Sequence, residues 1–337
     1  MSKVDNLQKY EDVIKALNSE NEKKHLLLGN GFSIAYDYNI FSYSTLSSFI
    51  EKLNDELLKK LFTVINTKNF ELVMRQIDNF VEIAKVFSSD KQFVDKLSKA
   101  KTILKDSLIN AIKELHPEHS FRISEQQSQS CFNFLNEFIA NEGKIFSTNY
   151  DLLLYWVLMK NNKDDMRFVT NDGFSKEDNS DTLIWGKFKY KQNIFYLHGA
   201  LHLFDTGIDV IKERYDLQHF ILDNINARME KNEYPIFITA GNKREKLNHI
   251  MHNMYLAYCY EQLTRINGSL IVFGFNFGEY DNHIIDAINK ANMQYKTKLN
   301  SVYIGIYDDK GLEHIERIKD KFKCQVNLYN AKTAKIW

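Results

Sequence analysis

A glycine-rich segment directly follows the apolar run His25–Leu28 and is the first place where residue type and spacing suggest chemistry. Gly29 and Gly31 allow a tight turn and let backbone N–H groups approach a pyrophosphate, because glycine has no Cβ atom. The third glycine of a full dinucleotide fingerprint is absent. The segment therefore predicts either a phosphate-binding loop or a plain tight turn. The residues of this candidate loop are Gly29, Asn30, Gly31, Phe32 and Ser33.

A polar group follows the next strand candidate, Ile145–Thr148. Asn149 and Asp151 place an amide and a carboxylate two residues apart at a strand end, where neither suits a core. Asn149 offers both a donor and an acceptor, which suits the orientation of a water molecule or a sugar hydroxyl. The alternative is that Thr148, Asn149 or Asp151 only caps the helix that follows.

A histidine, His198, ends the apolar run Ile194–Leu197 and precedes Gly199. We expect its ring to face the crevice beyond the strand ends, where a group with a near-neutral pKa can act as a general base. A single histidine at a strand end also occurs as a structural residue. His202 lies four residues further on, but no carboxylate or cysteine beside the pair completes a metal-binding set, so we predict no metal.

A fourth segment follows the apolar run Leu270–Phe273 and consists of Gly274, Phe275 and Asn276. This second glycine-bearing strand end can contact a ribose or the second half of a dinucleotide. The alternative is an ordinary loop, with Asp281 as the N-cap of a helix that also contains His283. Ligands of open parallel sheets bind beyond the carboxyl ends of the strands. The common placement of the four segments, rather than any one of them, predicts a nucleotide site.

Alternating strand and helix patterns must position these segments. Short apolar runs separated by amphipathic helices predict an α/β fold with a mostly parallel, Rossmann-like sheet covered by helices on both faces. The predicted strands are 25–28, 145–148, 194–197, 235–239, 270–275, 302–307 and 325–329, with a weak one near 183–185. The predicted helices outside the central part of the chain are 6–18, 151–160, 211–231, 246–266, 281–292 and 311–321.

The central part of the chain differs from the rest. From Ser44 to Ala140 apolar residues recur at helical spacing, and no convincing strand pattern occurs. We therefore predict a helical insertion over 44–140. Residues 1–43 and 141–337 together form the Rossmann-like domain in this division.

Composition excludes several classes of protein. The 337 residues are 44% hydrophobic, so disorder is excluded, and 44 basic residues balance 44 acidic ones, which gives no global attraction to nucleic acid. Three scattered cysteines exclude a disulfide framework. The polar residues 1–21 lack the apolar core of a signal peptide, and no apolar stretch is long enough to span a bilayer. We expect a cytoplasmic protein without membrane contact or sequence-specific nucleic-acid binding, with the basic run Lys243–Lys246 as solvated surface.

The four segments, in this order, resemble the SIR2 (sirtuin-like) NAD-binding family over residues 25–42 and 144–307. Gly29–Ser33 resembles the first glycine loop of that family, and Thr148–Asp151 resembles its Thr-x-Asn-x-Asp segment. His198 with Gly199 matches the His-Gly pair that contains the catalytic histidine. The resemblance implies NAD as the substrate, with Asn149, His198 and Asp151 as catalytic residues. It implies nucleotide binding by Gly29, Asn30, Gly31, Phe32, Ser33, Thr148, Gly274, Phe275 and Asn276.

Two departures narrow the implied activity. The four-cysteine zinc ribbon of protein-deacylating sirtuins is absent, and Tyr38–Phe41 stands where they have Pro-x-Phe-Arg. The chain is in this respect similar to SIR2-like effectors of bacterial anti-phage defence, which hydrolyse NAD. This resemblance implies an NAD+ glycohydrolase that releases nicotinamide and ADP-ribose and depletes NAD in abortive infection.

The same resemblance implies partners. Such effectors act as homo-oligomers or with a regulatory protein, either a HerA-type ATPase or a nucleotide-sensing protein, and the helical segment 44–140 is the candidate contact surface. Two alternatives remain: a module that senses NAD or ADP-ribose without turnover, and an NAD-dependent protein deacylase.

Overall fold

The computed structural model describes most of the chain. The described residues are 2–38, 56–65, 70–87, 91–116, 120–161, 170–176, 182–214, 220–238, 243–278, 281–295 and 297–337. The predicted start of the helical insertion at Ser44 and the predicted strand end at position 239 lie outside them.

Twelve strands and twelve α-helices occur within the described residues. The strands are β1 (Gln8–Lys9), β2 (Lys24–Leu28), β3 (Ile145–Ser147), β4 (Phe174–Lys176), β5 (Leu183–Trp185), β6 (Ile194–Tyr196), β7 (Gly199–Asp205), β8 (Val210–Lys212), β9 (Pro235–Phe237), β10 (Gly268–Phe273), β11 (Leu299–Ile306) and β12 (Gln325–Asn330). The helices are α1 (Tyr10–Ser19), α2 (Gly31–Tyr36), α3 (Glu56–Ile65), α4 (Phe70–Phe87), α5 (Lys91–Leu115), α6 (Glu125–Ile139), α7 (Leu153–Asn161), α8 (Ile221–Glu230), α9 (Lys243–His252), α10 (Met254–Leu263), α11 (Asn282–Asn292) and α12 (Asp309–Ile318).

The main sheet has seven strands in the order β1, β12, β11, β10, β2, β3, β6, and every neighbouring pair is parallel. Along the chain the sheet grows from β2 through β3 to β6 on one side and from β10 through β11 to β12 on the other. Apart from the short edge strand β1, this is the 3-2-1-4-5-6 order of dinucleotide-binding sheets. The predicted Rossmann-like fold class is confirmed, and its topological switch point lies between β2 and β10.

Burial explains why the central strands form. Every residue of β2 and of β10 is buried, which requires that both faces of the sheet are covered. Helix α6 packs on β2 and β3, and α10 packs on β6. Ser124 and Gln127 form a reciprocal capping box that fixes where α6 begins.

A second sheet was not predicted. It is antiparallel, with the order β4, β5, β8, β7, β9, and β7 follows β6 after only two residues. The prediction that a strand over 235–239 extends the parallel sheet is therefore wrong, because Pro235–Phe237 pairs antiparallel with β7. The predicted helix over 211–231 is wrong at its start, because Val210–Lys212 forms a hairpin with β7 and the helix begins at Ile221. Short apolar runs carry no information on strand direction.

The predicted single helix 246–266 is two helices. Helix α9 ends at His252 and α10 begins at Met254, with Asn253 between them. The Asn253 side chain accepts a hydrogen bond from the Leu256 backbone N–H (3.0 Å) and so caps α10.

The central segment is helical as far as the structure describes it. Helices α3, α4 and α5 pack together, and residues described between 56 and 139 include no strand. Helix α6 differs from these three because it covers the sheet. In the described part of the chain, no helix combines the length and apolarity that a bilayer crossing requires.

The loops after β2 and β10 pack backbone against backbone. The Gly29 N–H donates to the Phe273 carbonyl (2.9 Å), and the Gly31 N–H donates to the Gly274 carbonyl (2.8 Å). A Cβ atom on Gly31 would lie 2.6 Å from the Gly274 Cα, and one on Gly29 would lie 2.5 Å from the Phe275 Cα. The packing of the two loops on each other therefore requires glycine at both positions.

We expect Gly274→Ala to destabilise the protein by about 2–5 kcal/mol. The residue has φ +69° and its Cβ would lie 2.5 Å from the Gly31 Cα, so alanine would suffer both left-handed backbone strain and overpacking. Gly207→Ala is the matched control: its φ is +85°, but nothing lies within 4 Å of its Cβ position, so only the strain of about 1–2 kcal/mol applies. Urea unfolding measures both. Equal losses for the two variants would show that the loop contact contributes nothing.

Candidate functional site

One line of paired residues crosses four neighbouring strands. Phe273 of β10 pairs with Leu28 of β2, Leu28 pairs with Ser147 of β3, and Ser147 pairs with Tyr196 of β6. The four predicted segments begin one or two residues after these four residues. Because the strands are parallel and in register, all four segments emerge at the same edge of the sheet.

Asn149 and His198 occupy equivalent places along this edge. Each lies two residues beyond the paired Ser147 and Tyr196 of adjacent strands. Neighbouring strands are about 4.8 Å apart. Thr148 ties this edge together, since its backbone N–H and its hydroxyl both donate to the Leu28 carbonyl (3.0 and 3.2 Å).

A buried polar cluster joins the first two segments. The Asn149 Nδ2 donates to the Ser33 Oγ (2.9 Å), and the Ser33 hydroxyl donates to the Asp151 Oδ2. Ser33 is fully buried, and Asn149 and Asp151 are 7% and 2% exposed. One hydroxyl thus links the amide and the carboxylate, so the three side chains form a single unit.

Asp151 also caps the helix that follows it, which is the alternative role that the sequence allowed. Its Oδ1 accepts a hydrogen bond from the backbone N–H of Leu153 (3.0 Å), the first residue of α7. Burial raises the pKa of Asp151 to about 6, although the hydrogen bonds from Ser33 and Leu153 favour the charged form. The site therefore holds a carboxyl group that is partly protonated at pH values near 6.

His198 faces a second histidine. Its Nε2 lies 2.9 Å from the His283 Nε2, and both residues are buried. Burial lowers the pKa of His198 well below its ordinary value, and the positive electrostatic contributions of His283 and Lys246 lower it further. His198 is therefore a neutral imidazole at pH 7, and one histidine donates a hydrogen to the other.

An ion pair lies beside the two histidines. The Lys246 Nζ donates to the Asp281 Oδ1 (2.7 Å), and Lys246 is only 7% exposed. The prediction that Lys243–Lys246 is solvated surface is therefore wrong for Lys246. Asp281 precedes α11, but its side chain makes no capping hydrogen bond, because it binds Lys246 instead.

The same group is the set of residues that could hold a metal ion. One ligand atom each from His198, Asp281 and His283 lies within 4.8 Å of the others, the one such group found in the described part of the chain. The Lys246 ammonium already compensates the Asp281 charge. In this structure the ligand atoms are engaged in two pairs, His198 with His283 and Asp281 with Lys246.

The junction of the two sheets fixes His198. Gly199 has φ +81°, and a Cβ there would lie 1.9 Å from the Ile236 carbonyl oxygen, so only glycine fits. The His198 carbonyl accepts a hydrogen bond from the Ile238 N–H (3.0 Å). Gly199, the neighbour of His198 in sequence, and Ile238, its neighbour in space, therefore both hold the backbone of the candidate base in place.

His202 has different surroundings from His198. Its ring stacks on Tyr155 (centroids 4.8 Å apart) and meets Tyr196 edge-on. A cavity of about 180 Å³ lies beside these tyrosines, with the Lys212–Asp172 ion pair in its lining. None of the predicted site residues lines this cavity.

The residues of the first loop are engaged within the chain. Besides the N–H groups of Gly29 and Gly31, those of Phe32 and Ser33 donate to the carbonyls of Gly29 and Asn30 (2.9 and 3.1 Å). The Phe32 ring is buried against Trp337 (centroids 5.0 Å apart). Asn30 and Gly31 are half-buried, so they form the accessible part of this loop.

The residues of the fourth segment differ in exposure. Gly274 is half-buried and packs on the first loop, Phe275 is buried, and Asn276 is exposed. Asn276 therefore lies on the outer surface of this strand end.

The sequence patterns did not select two residues of this site, Lys246 and His283. Lys246 gave no signal because it lies in a charged run, and its burial depends on helix α9 packing near α11. His283 was noted only as part of a helix start. A histidine on the buried side of a helix that follows a glycine-bearing strand end is the signal that would have selected it.

The fold and this edge define a Rossmann-like α/β protein with a candidate nucleotide site at the strand-order switch point. The chain belongs to the DUF4917 family, described as a domain of unknown function, whose profile matches residues 26–337. Among curated proteins, none matches this chain.

We expect Asp151→Asn to stabilise the protein at pH 7.5 by about 1–3 kcal/mol. Because the native pKa of about 6 lies above the unfolded value near 4, the native state binds more protons between these pH values. Wild-type stability should therefore fall as the pH rises from about 4 to 6 and remain lower above 6. The stability of the Asp151→Asn variant should not fall in this way, because asparagine carries no buried charge. Its side-chain oxygen can still accept the hydrogen bond from the Leu153 N–H.

Urea unfolding between pH 4 and 8 measures the effect. The exposed Asp223→Asn is the matched control for an Asp-to-Asn exchange without a buried charge. A fall between pH 4 and 6 that persists in Asp151→Asn would assign the pH dependence to other groups.

Proposed function

We propose that this protein is an NAD+ glycohydrolase of SIR2-like type. The observation that carries the proposal is the row of strand ends at the switch point, where the Asn149 amide and the His198 imidazole lie at equivalent positions of adjacent strands. Support also comes from the resemblance of four segments to the SIR2 family in the same order along the chain.

The reaction breaks the bond between the nicotinamide nitrogen and ribose C1′. The bonding electron pair leaves with nicotinamide, which becomes neutral, so the leaving group needs no acid. The oxygen of one water molecule bonds to C1′, and its proton passes to a base and then to solvent. The products are nicotinamide, ADP-ribose and one proton.

Each candidate residue has a role in this scheme. Asn149 orients the water or a ribose hydroxyl, and His198 accepts the proton directly or through a ribose hydroxyl. Asp151 lies on the nicotinamide-ribose side and holds Ser33. The pyrophosphate lies against the accessible residues of the first loop, Asn30 and Gly31, and the adenosine side lies against the strand end 274–276.

We expect His198→Ala and Asn149→Ala each to lose at least two orders of magnitude of NAD+ cleavage while the fold is retained. A positioned base contributes about 10²–10⁴ in rate, and misplacement of the water has an effect of similar size. Mass spectrometry of nicotinamide and ADP-ribose measures turnover, and thermal unfolding verifies the fold. The exposed His252→Ala is the control and should keep wild-type turnover.

The outcomes separate the candidate functions. Near-wild-type turnover in both variants would remove the assigned roles. Stoichiometric NAD+ binding without nicotinamide release, tested alone and with the protein encoded next to it, would identify a sensing module. O-acetyl-ADP-ribose formed with an acetylated peptide would identify a deacylase.

We propose further that the enzyme acts in the cytoplasm in abortive infection and is gated by assembly. Constant hydrolysis would starve the cell of NAD, so activity must depend on a homo-oligomer or on a partner of the HerA-type ATPase or nucleotide-sensing class. An apolar stripe on α4 supports contact through the helical segment: Phe80, Ile83 and Phe87 are 46%, 53% and 84% exposed at i, i+3 and i+7.

The double variant Ile83→Lys/Phe87→Lys should shift the protein to a smaller oligomer and lower its turnover, because charge on the stripe opposes burial in an interface. Light scattering after size-exclusion chromatography measures the mass. Tyr295→Lys, at an exposed position outside the helical segment, is the control. An unchanged mass and unchanged turnover would exclude the stripe as the assembly surface.

A further inference from the structure

The hydrogen bond between the two histidines restricts how His198 can act. His198 Nε2 is occupied by the His283 Nε2 at 2.9 Å, so only Nδ1 remains to accept a proton from water or a ribose hydroxyl. A neutral imidazole carries one hydrogen. If the Nδ1 lone pair is to be open, Nε2 must carry that hydrogen and donate it to His283.

The position of His283 suits an acceptor. It is the second residue of α11, where the partial positive charge of the helix N-terminus disfavours a cationic side chain. It is fully buried, and Tyr260 donates to its backbone carbonyl (3.2 Å), which fixes the start of the helix. The backbone that carries the His283 ring is thus held in place.

Charged groups next to the pair complete the arrangement. Ligand atoms of Asp281 and both histidines lie within 4.8 Å of one another, and Lys246 fixes the Asp281 carboxylate (2.7 Å). Burial, His283 and Lys246 all disfavour a proton on His198, so a proton taken up at Nδ1 is readily released. The proton can then return to solvent, which leaves the Nε2–H bond to His283 unchanged throughout.

We propose that His283 is a positioning residue that selects the Nε2–H tautomer of His198 and so keeps Nδ1 open toward the substrate. The inference rests on the proposed function, because it assigns His283 a role in the same proton transfer. Asp281 and Lys246 form an ion pair beside the two histidines.

Two substitutions of His283 separate positioning from packing. His283→Phe keeps a ring of similar size but cannot accept a hydrogen bond. His283→Gln loses the ring but offers a carbonyl oxygen as acceptor. For positioning we expect kcat to fall about 100-fold in His283→Phe with KM for NAD+ within about twofold, and to stay within about tenfold of wild type in His283→Gln. If His283 only fills space, the order is reversed, and His283→Phe should retain more of the wild-type kcat than His283→Gln.

The tautomer can be measured without turnover. Nitrogen-15 NMR of histidine-labelled protein, without NAD+, should show His198 as the Nε2–H form in the wild type and in His283→Gln. His283→Phe should show a mixture or the Nδ1–H form. The exposed His252→Gln is the control. Thermal unfolding identifies any variant that fails to fold. If both His283 variants fail to fold, the tautomer of His198 in the wild-type protein is the result that supports or overturns the inference.

Three results would overturn the inference. They are an Nδ1–H tautomer of His198 in the wild type, wild-type kcat in a folded His283→Phe, and stoichiometric Zn²⁺ binding that is lost in His283→Phe and raises turnover. The last would make His283 a metal ligand. A wild-type protein that releases no nicotinamide would refute the proposed function, whereas the tautomer measurement would still test the hydrogen bond.

Discussion

In-register parallel pairing of β10, β2, β3 and β6 is the constraint on which the candidate site depends. Phe273, Leu28, Ser147 and Tyr196 align across the sheet, so segments that are up to about 250 residues apart in sequence end at one edge. A shift of one residue in any pairing would turn every side chain of the shifted strand to the other face. The complete burial of β2 and β10 prevents such a shift, because a displaced register would leave buried apolar groups unmatched.

Burial also determines the electrostatics at this edge. Ser33 satisfies both Asn149 and Asp151, and the His198–His283 contact satisfies two ring nitrogens that water cannot reach. The raised pKa of Asp151 shows that hydrogen bonds only partly offset its desolvation. A carboxylate kept in this environment at neutral pH lowers stability, which is common where a site is selected for chemistry.

The sequence predicted the strand ends well because each is marked locally, by an apolar run that stops at glycine or at a polar residue. The second sheet could not be predicted in this way, since Val210–Lys212 and Pro235–Phe237 are too short to indicate direction or partner. The hydrogen-bond partner of His198 could not be predicted from the local sequence either. His202, four residues away, stacks on Tyr155, whereas His283, 85 residues away, makes the hydrogen bond. Such pairs depend on how α11 packs, which no local pattern encodes.

The glycines show how one signal can have two causes. Their spacing predicted close approach of a phosphate, yet in the structure the Cβ directions of Gly29, Gly31 and Gly274 are filled by the opposite loop. The N–H groups of Gly29 and Gly31 are also engaged within the chain. The close packing of the two loops therefore accounts for these glycines. If a dinucleotide binds at the switch point, recognition must come largely from side chains, namely Asn30 on the accessible loop surface and Asn149 and His198 on the neighbouring strand ends. A site of this kind gains its specificity from a few polar groups whose positions the sheet register fixes.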